Sequence, residues 1–311
     1  MVIENQRTGD GRLDIIGDIH GHAVELRALL ELLGYRETRG AYRHPDGRRL
    51  VFLGDFIDRG PAILEVLRIA RAMVEERTAF AIMGNHEMNA MRFHSRGADG
   101  MPLREHTEKN ISQHRATLDQ IPSDQMDGWL EWFSGLPLWM DFEGCRVVHA
   151  CWDDEAIRAM TGIGPFCGNV LESYSRKGTP EHDTISRILN GPEAKLPVGH
   201  KHQTADSNYR RDIRVKWWVP IEGLTCREAI FPPADGIPDL PTEAMPAITP
   251  YGETDPPVFF GHYAQKATAP SPIRKNIACL DYGTGKGGFL CAYRWDGEQV
   301  LETGKFVSVN E

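Results

Sequence analysis

Short apolar runs alternate with helically spaced apolar residues over the first ninety positions of the chain. The runs at residues 13–16, 50–53 and 78–83 predict three strands. Apolar residues recur at helical spacing from 23 to 33, and a second apolar stripe follows Pro61, a residue suited to the first turn of a helix. Strands and helices in alternation predict an α/β fold in which helices cover a sheet.

The rest of the chain returns to the sheet only at intervals. The polar stretch 91–143, with its aromatic cluster, predicts a helical insertion. Residues 151–257 predict a second insertion, a cap that ends in a proline-rich connector and holds one alternating strand at 213–219. Further strands are predicted at 146–148, 258–260, 277–280 and 289–295. We therefore expect residues 1–311 to form a single domain with two insertions.

Composition excludes several classes of protein. The net charge of −9 argues against a nucleic-acid partner, because affinity for phosphate backbones comes mainly from Lys and Arg. The six cysteines include no C-x-x-C pair, which is typical of a reducing compartment. The first twelve residues lack the apolar core of a signal peptide, and no apolar run is long enough for a membrane span. We expect a cytoplasmic protein without a membrane partner.

Five polar segments directly follow predicted strands. They are Gly-Asp-Ile-His-Gly at 17–21, Gly-Asp-Phe-Ile-Asp-Arg-Gly at 54–60, Gly-Asn-His-Glu at 84–87, His149 and His262. Ligand sites gather at the carboxyl ends of strands, so these side chains could converge. Asp, Asn and His without thiolates suit Mn²⁺, Fe²⁺ or Zn²⁺. Two carboxylates and several imidazoles can hold a pair of such ions, which would activate a water for attack at phosphorus.

These motifs resemble those of the calcineurin-like metallophosphoesterase superfamily, in the branch of protein serine/threonine phosphatases and bacterial diadenosine tetraphosphatases. The Asp-Arg-Gly ending of the second motif separates that branch from the wider superfamily. The resemblance covers about residues 12–90, 145–150 and 258–296. It implies a central mixed β-sandwich flanked by helices. It also implies direct attack of a metal-bound hydroxide on phosphorus, without a covalent phospho-enzyme.

The resemblance also implies a role for each motif residue. The first metal would be bound by Asp18 and His20, Asp55 would bridge, and the second metal would be completed by Asn85, His149 and His262. His86 would be the general acid, Asp58 would orient its ring, and Arg59 would bind the phosphate. Mn²⁺ is the first choice of metal, with Fe²⁺ or Zn²⁺ as alternatives.

Two of these assignments have competitors. His200, in a Gly-His-Lys-His stretch, also resembles a closing metal motif, but the proline before it makes a poor strand, so we prefer His262. Arg214, with Arg211, forms either a substrate-binding edge or the solvated face of a strand, and we include Arg214 among the substrate-binding residues. Glu87 is interpreted as a cap or support.

The substrate class stays open at the level of the sequence. A phosphoprotein and a phosphorylated small molecule, such as a dinucleoside polyphosphate or nucleotide, are equally compatible with the motifs. A catalytically inactive binding scaffold is the alternative from another class. It would require the loss of a ligand or of the acid, and every expected residue is present.

Overall fold

The computed structural model describes residues 11–203, 209–244 and 246–310. The first ten residues, which carry most of the segment expected to lack a targeting signal, lie outside these ranges. The helices are α1 (Ala23–Leu32), α2 (Ile63–Glu75), α3 (Asn85–His94), α4 (Glu108–Gln120), α5 (Ser123–Ser134), α6 (Asp154–Met160), α7 (Gly168–Ser175), α8 (Pro180–Asn190) and α9 (Cys226–Ala229).

The described strands are short, and half of them overlap a predicted strand. They are β1 (Leu13–Ile16), β2 (Arg36–Thr38), β3 (Ala41–Arg43), β4 (Arg49–Phe52), β5 (Ala79–Ala81), β6 (Trp139–Phe142), β7 (Cys145–Val148), β8 (Glu193–Lys195), β9 (His202–Gln203), β10 (Tyr209–Arg210), β11 (Asp212–Arg214), β12 (Val258–Phe260), β13 (Ile277–Cys279), β14 (Asp281–Tyr282), β15 (Phe289–Trp295) and β16 (Phe306–Asn310).

Two mixed sheets form the centre of the protein. The larger has the order β14-β15-β1-β4-β5, with β16 also paired to β15. In it β1, β4 and β5 run parallel, and β15 is antiparallel to β1. The smaller has the order β13-β12-β7-β6, and its β7, β12 and β13 are parallel. The candidate motifs begin at the carboxyl ends of these parallel strands.

The two sheets pack face to face. Leu13 and Val51 of the larger sheet share one buried cluster with Val147 and Phe259 of the smaller. Their neighbours in sequence, such as Phe52, belong instead to the core beneath the helices, because successive strand residues point to opposite faces. The structure therefore confirms the α/β fold with a mixed β-sandwich and flanking helices.

Helices α4 and α5 lie in the stretch predicted to be helical. Trp129 and Phe133 of α5 are buried in the main core, which accounts for the aromatic cluster of this segment. Residues 151–257 hold helices α6 to α9 and a smaller core of their own, around Leu196 and Ile213. None of the described helices combines the length and apolarity needed to cross a bilayer. The division into one domain with two insertions stays a prediction.

Two local predictions are wrong. The strand predicted at 213–219 ends at Arg214, with Val215 adding only an isolated bridge. The neighbouring Trp217 and Trp218 are both buried, so the side chains no longer alternate between two faces. Pro61 does not occupy the first turn of α2 either, because that helix begins at Ile63.

Candidate active site

The candidate motifs meet at the ends of β1, β4, β5, β7 and β12, where the backbone is strained. Among the described residues, seven other than glycine have positive φ, and five of these belong to the motifs: His20, Asp55, Asp58, Arg59 and His262. This conformation is uncommon for residues with a side chain, and it persists only where the surroundings enforce it. Its concentration in these segments points to a functional site.

Glycines allow the chain to pass close to the candidate ligands. A Cβ atom on Gly84 would lie 2.2 Å from Asp55 Oδ1, and one on Gly261 would lie 2.0 Å from Asp18 Oδ1. Neither glycine has a positive φ. These two motif positions therefore require glycine for space rather than for backbone conformation.

The first group of possible metal ligands consists of His20, Asp55 and His86, whose ligand atoms all lie within 4.8 Å of one another. The Nδ1 of His20 donates to the Ile57 carbonyl at 2.8 Å, which leaves its Nε2 lone pair facing Asp55 Oδ2 at 3.5 Å. Burial lowers the pKa of His20 well below its ordinary value, and the nearby Arg59 lowers it further. A neutral ring is the form that binds a metal ion.

The second group consists of Asp55, His149 and His262, with ligand atoms within the same 4.8 Å. The Nδ1 of His149 donates to the Leu53 carbonyl at 2.7 Å, so its Nε2 lone pair points inward. Asn85 Oδ1 lies 3.0 Å from His149 Nε2 and 2.9 Å from His262 Nδ1. Asp55 belongs to both groups, which is the arrangement expected of a bridging carboxylate.

Asp18 lies beside these groups but falls in neither. Its carboxylate accepts the backbone N–H of His262 at 3.0 Å and 3.2 Å. Burial raises the pKa of Asp18 well above its ordinary value, and the negative charges of Asp281 and Asp55 raise it further. Several carboxylates thus lie close together in a buried region, and the charges of its neighbours disfavour ionisation of Asp18.

The chemistry of these residues fits divalent cations. The Nε2 atoms of His20 and His262 are buried and have no hydrogen-bond partner in the described part of the chain. Buried polar atoms are normally paired, so an unpaired His20 Nε2 that lies 3.5 Å from Asp55 Oδ2 calls for an electrophile between them. The surrounding carboxylates supply compensating negative charge, and nitrogen and oxygen donors together suit borderline or hard divalent ions.

His86 and Asp58 form a close pair beside the first group. The distance from His86 Nδ1 to Asp58 Oδ2 is 2.5 Å, and His86 Nε2 lies 3.8 Å from Asp55 Oδ2. Burial alone would lower the pKa of His86, but the carboxylates of Asp55 and Asp58 outweigh burial and raise the pKa. The contact between Nδ1 and Asp58 holds the ring so that Nε2 faces Asp55 and the possible metal ligands.

Arginines and a glycine-rich loop border the site. Arg59 is exposed, and its side chain packs against Gly285, where a Cβ atom would lie 3.3 Å from Arg59 Cβ. Arg214 donates to the backbone carbonyl of His262 at 3.3 Å, so it lies at the edge of the same site. Arg59 therefore lies near enough to His20 for its charge to lower the pKa of that ring, and Arg214 lies beside the backbone of His262.

The competing residues are placed differently. His200 is exposed in the loop that follows β8, whereas His262 is 7% exposed and lies between Asn85 and Asp18. Glu87 is fully buried and accepts the backbone N–H groups of Asp55, Phe56 and Gly84 at 2.9 Å each. It holds the ends of β4 and β5 together, in agreement with its interpretation as a support.

Sequence reasoning missed residues that contact the site from outside the motifs. His114 and Thr117 of α4 both bind the carboxylate of Asp58. No local pattern marks either residue, because the contact joins positions separated by more than fifty residues. Asp281 directly follows the strand predicted at 277–280 and was not among the predicted site residues, yet it is buried and contributes to the raised pKa of Asp18. A polar residue directly after a late strand was the available signal.

Comparison with known proteins agrees with this fold. The calcineurin-like phosphoesterase family model matches residues 11–215, more than half of the chain. The chain therefore belongs to the calcineurin-like phosphoesterase family, as the motifs led us to expect.

Particular relatives are similar over different lengths. A bis(5'-nucleosyl)-tetraphosphatase PrpE from Halalkalibacterium halodurans is 36% identical over 137 residues, which are 44% of this chain and 55% of that relative. The protein of the same name from Bacillus subtilis is 34% identical over 255 residues, covering 78% of this chain and 97% of the relative. A solved protein serine/threonine phosphatase from Saccharomyces cerevisiae is 13% identical, with a TM-score of 0.55 over 100% of this chain and 84% of that chain. At this identity, the likeness concerns the fold.

Proposed function

We propose that the chain hydrolyses phosphate esters or phosphoanhydrides with the help of two divalent cations. The observation that carries this proposal is the pair of ligand groups that share Asp55, with the His86–Asp58 pair directly beside them. One group would consist of His20 and Asp55, assisted by Asp18. The other would consist of Asp55, Asn85, His149 and His262.

The protein's own residues have distinct tasks in this proposal. When bound, a pair of divalent cations offsets the charge of phosphate oxygens and lowers the pKa of water. Arg59, exposed at the rim, binds further phosphate oxygens through its planar guanidinium. Arg214 is the second candidate for that contact. His86 donates its Nε2 proton to the departing oxygen as the bond to phosphorus breaks, and Asp58 holds the ring by Nδ1.

We infer that the substrate is a dinucleoside polyphosphate. The support is the tetraphosphatase name of relatives that align with more than three quarters of this chain. A phosphoprotein is the second candidate, supported by the Asp-Arg-Gly ending of the second motif, which resembles that of the serine/threonine phosphatase branch.

The remaining assignments are also proposals. We infer Mn²⁺ as the native metal, with Fe²⁺ or Zn²⁺ as alternatives. Carboxylate and amide oxygens among the candidate ligands suit Mn²⁺, whereas their imidazoles suit Fe²⁺ and Zn²⁺. The cytoplasm is the proposed location, supported by six cysteines that are all free. Nucleic acid is not an expected partner of a chain with a net charge of −9.

A substrate panel with Mn²⁺ tests the proposal. We expect diadenosine tetraphosphate to be hydrolysed with a kcat/KM at least about tenfold above that of a phosphopeptide, with p-nitrophenyl phosphate as a general reference. Asp55→Asn, purified in the same way, is the control for contaminating phosphatases and should lack activity. A preference for the phosphopeptide would support the second candidate. Two bound metals without hydrolysis of any substrate would favour the inactive scaffold.

A further inference from the structure

The second motif is held in place by a helix from outside the motifs. The segment from Asp55 to Gly60 contains three of the residues with positive φ, so its conformation needs external support. Helix α4 supplies it. The Gln120 amide accepts the N–H of Ile63 at 2.8 Å and donates to the carbonyl of Gly60 at 2.8 Å.

The same helix also contacts Asp58 directly. His114 Nδ1 donates to Asp58 Oδ1 at 2.8 Å, and the Thr117 hydroxyl donates to the same oxygen at 2.5 Å. The Thr117 oxygen in turn accepts the N–H of Asp58 at 3.0 Å. His114 and Thr117 lie three positions apart and therefore on one face of α4. All three side chains are buried, at 1%, 0% and 2% exposure for His114, Thr117 and Asp58.

The two oxygens of Asp58 therefore have separate partners. Oδ1 accepts from His114 and Thr117, while Oδ2 accepts from His86. An ionised carboxylate only accepts hydrogen bonds, so both histidines must carry their proton at Nδ1. The other ring nitrogen of His114 lies 3.2 Å from His94 Nε2, which completes the contacts of its ring. A carboxylate fixed at Oδ1 cannot rotate away from His86 without losing two buried hydrogen bonds.

We propose that His114, with Thr117, is a positioning residue for the general acid of this enzyme, acting on His86 through Asp58. The inference rests on the proposed function, in which His86 protonates the leaving group. It assigns a catalytic task to the helical insertion, because α4 supplies both side chains. Loss of His114 would leave Asp58 Oδ1 with one side-chain partner. The orientation of His86 Nε2 would then be less well fixed.

The leaving group of the substrate distinguishes this role from a structural one. p-Nitrophenolate departs readily without a proton, whereas phenolate departs less readily and gains more from one. For His114→Ala with Mn²⁺ we expect kcat on phenyl phosphate to fall about 10- to 100-fold, the usual cost of losing an orienting partner. On p-nitrophenyl phosphate we expect a loss of about threefold or less, with KM within about twofold on both substrates.

Two further variants keep the test valid if His114→Ala folds poorly. His114→Asn retains an N–H near the position of Nδ1 and should recover most of the lost kcat. Thr117→Val has nearly the same shape without the hydroxyl and should show the same dependence on the leaving group. His106→Ala is the matched control, because His106 is an exposed histidine between α3 and α4 whose ring stacks on Phe93 and does not contact Asp58. It should behave like the wild type.

The possible outcomes separate this inference from the function on which it rests. A wild-type protein that hydrolyses neither ester would overturn the proposed function, and this inference with it. An active wild type with equal losses on both esters in His114→Ala and Thr117→Val would overturn the inference alone. So would unchanged kcat in both variants, or a change confined to KM.

Discussion

Replacing Gly261 by alanine should displace a candidate metal ligand without removing any functional group. Gly261 precedes His262 and follows β12, and its φ is not positive, so alanine can adopt the same backbone conformation. The added Cβ would lie 2.0 Å from Asp18 Oδ1. The perturbation is therefore steric and directed at one carboxylate.

The size of the effect follows from the distance. Apolar and polar heavy atoms in contact normally stay more than 3 Å apart, so the carboxylate of Asp18 or the backbone at 261 must move by roughly 1 Å. A displacement of that size in a catalytic arrangement costs about 100-fold in rate, or about 2.7 kcal/mol in the activation free energy. Asp18 would also lose the hydrogen bonds from the N–H of His262, which now fix its position.

Metal content and hydrolysis measured on the same sample check this prediction. We expect Gly261→Ala to retain less than the full complement of metal after dialysis and to lose about 100-fold in kcat/KM on p-nitrophenyl phosphate. Gly164→Ala is the control, since nothing lies within 4 Å of its Cβ position and its φ is not positive. If Gly261→Ala kept full metal content and activity within about threefold of the wild type, the assignment of Asp18 to the metal site would be refuted.

Three other predictions concern separate parts of the molecule. Asp14→Ala should lower the free energy of unfolding, measured in urea, by about 3 kcal/mol. The reason is that buried Asp14 binds Arg48 at 2.9 Å and Arg294 at 3.0 Å. An unchanged free energy of unfolding would contradict a stabilising role for these ion pairs. His262→Ala should bind less metal, whereas His200→Ala should bind as much as the wild type, and the reverse result would show that His200 is the ligand. A chelator should abolish hydrolysis and added Mn²⁺ should restore it, whereas activity that survives exhaustive chelation would exclude a metal mechanism.

The elements with strong local signals were predictable. The strand β15 coincides with its predicted range, because its seven residues form an almost wholly buried run without a competing helical pattern. β5 is shorter than predicted, since only Ala79–Ala81 pair with β4. The strand predicted at 213–219 failed for another reason, because buried tryptophans in that segment serve a core rather than a sheet. Apolar residues indicate that a segment is buried, but they do not show whether it pairs in a sheet or packs in a core outside the sheet.

Some features of the candidate site could likewise be predicted from the sequence, and others could not. Its motif residues could be found because each follows a strand, and parallel strands end at a common edge. The contacts that hold these residues in place could not be predicted from the sequence. The sequence indicates that Glu87 is a cap or support, but it does not show that Glu87 binds three backbone N–H groups from two segments. His114 reaches Asp58 across more than fifty residues. These contacts depend on how α3 and α4 pack against the sandwich, and no local pattern carries that information.

Several features of the site are individually unfavourable, and their coincidence has a common explanation. Strained backbone, buried imidazole nitrogens without partners and carboxylates that raise the pKa of Asp18 all lie within one small region. Each lowers the stability of the fold when considered alone. Glu87 and helix α4 bind the strained segments and prevent them from relaxing. Cations bound between the imidazole nitrogens and the carboxylates would compensate these unfavourable contributions to stability. Preorganisation for metal binding therefore explains why the strained backbone, the unpaired nitrogens and the clustered carboxylates occur together.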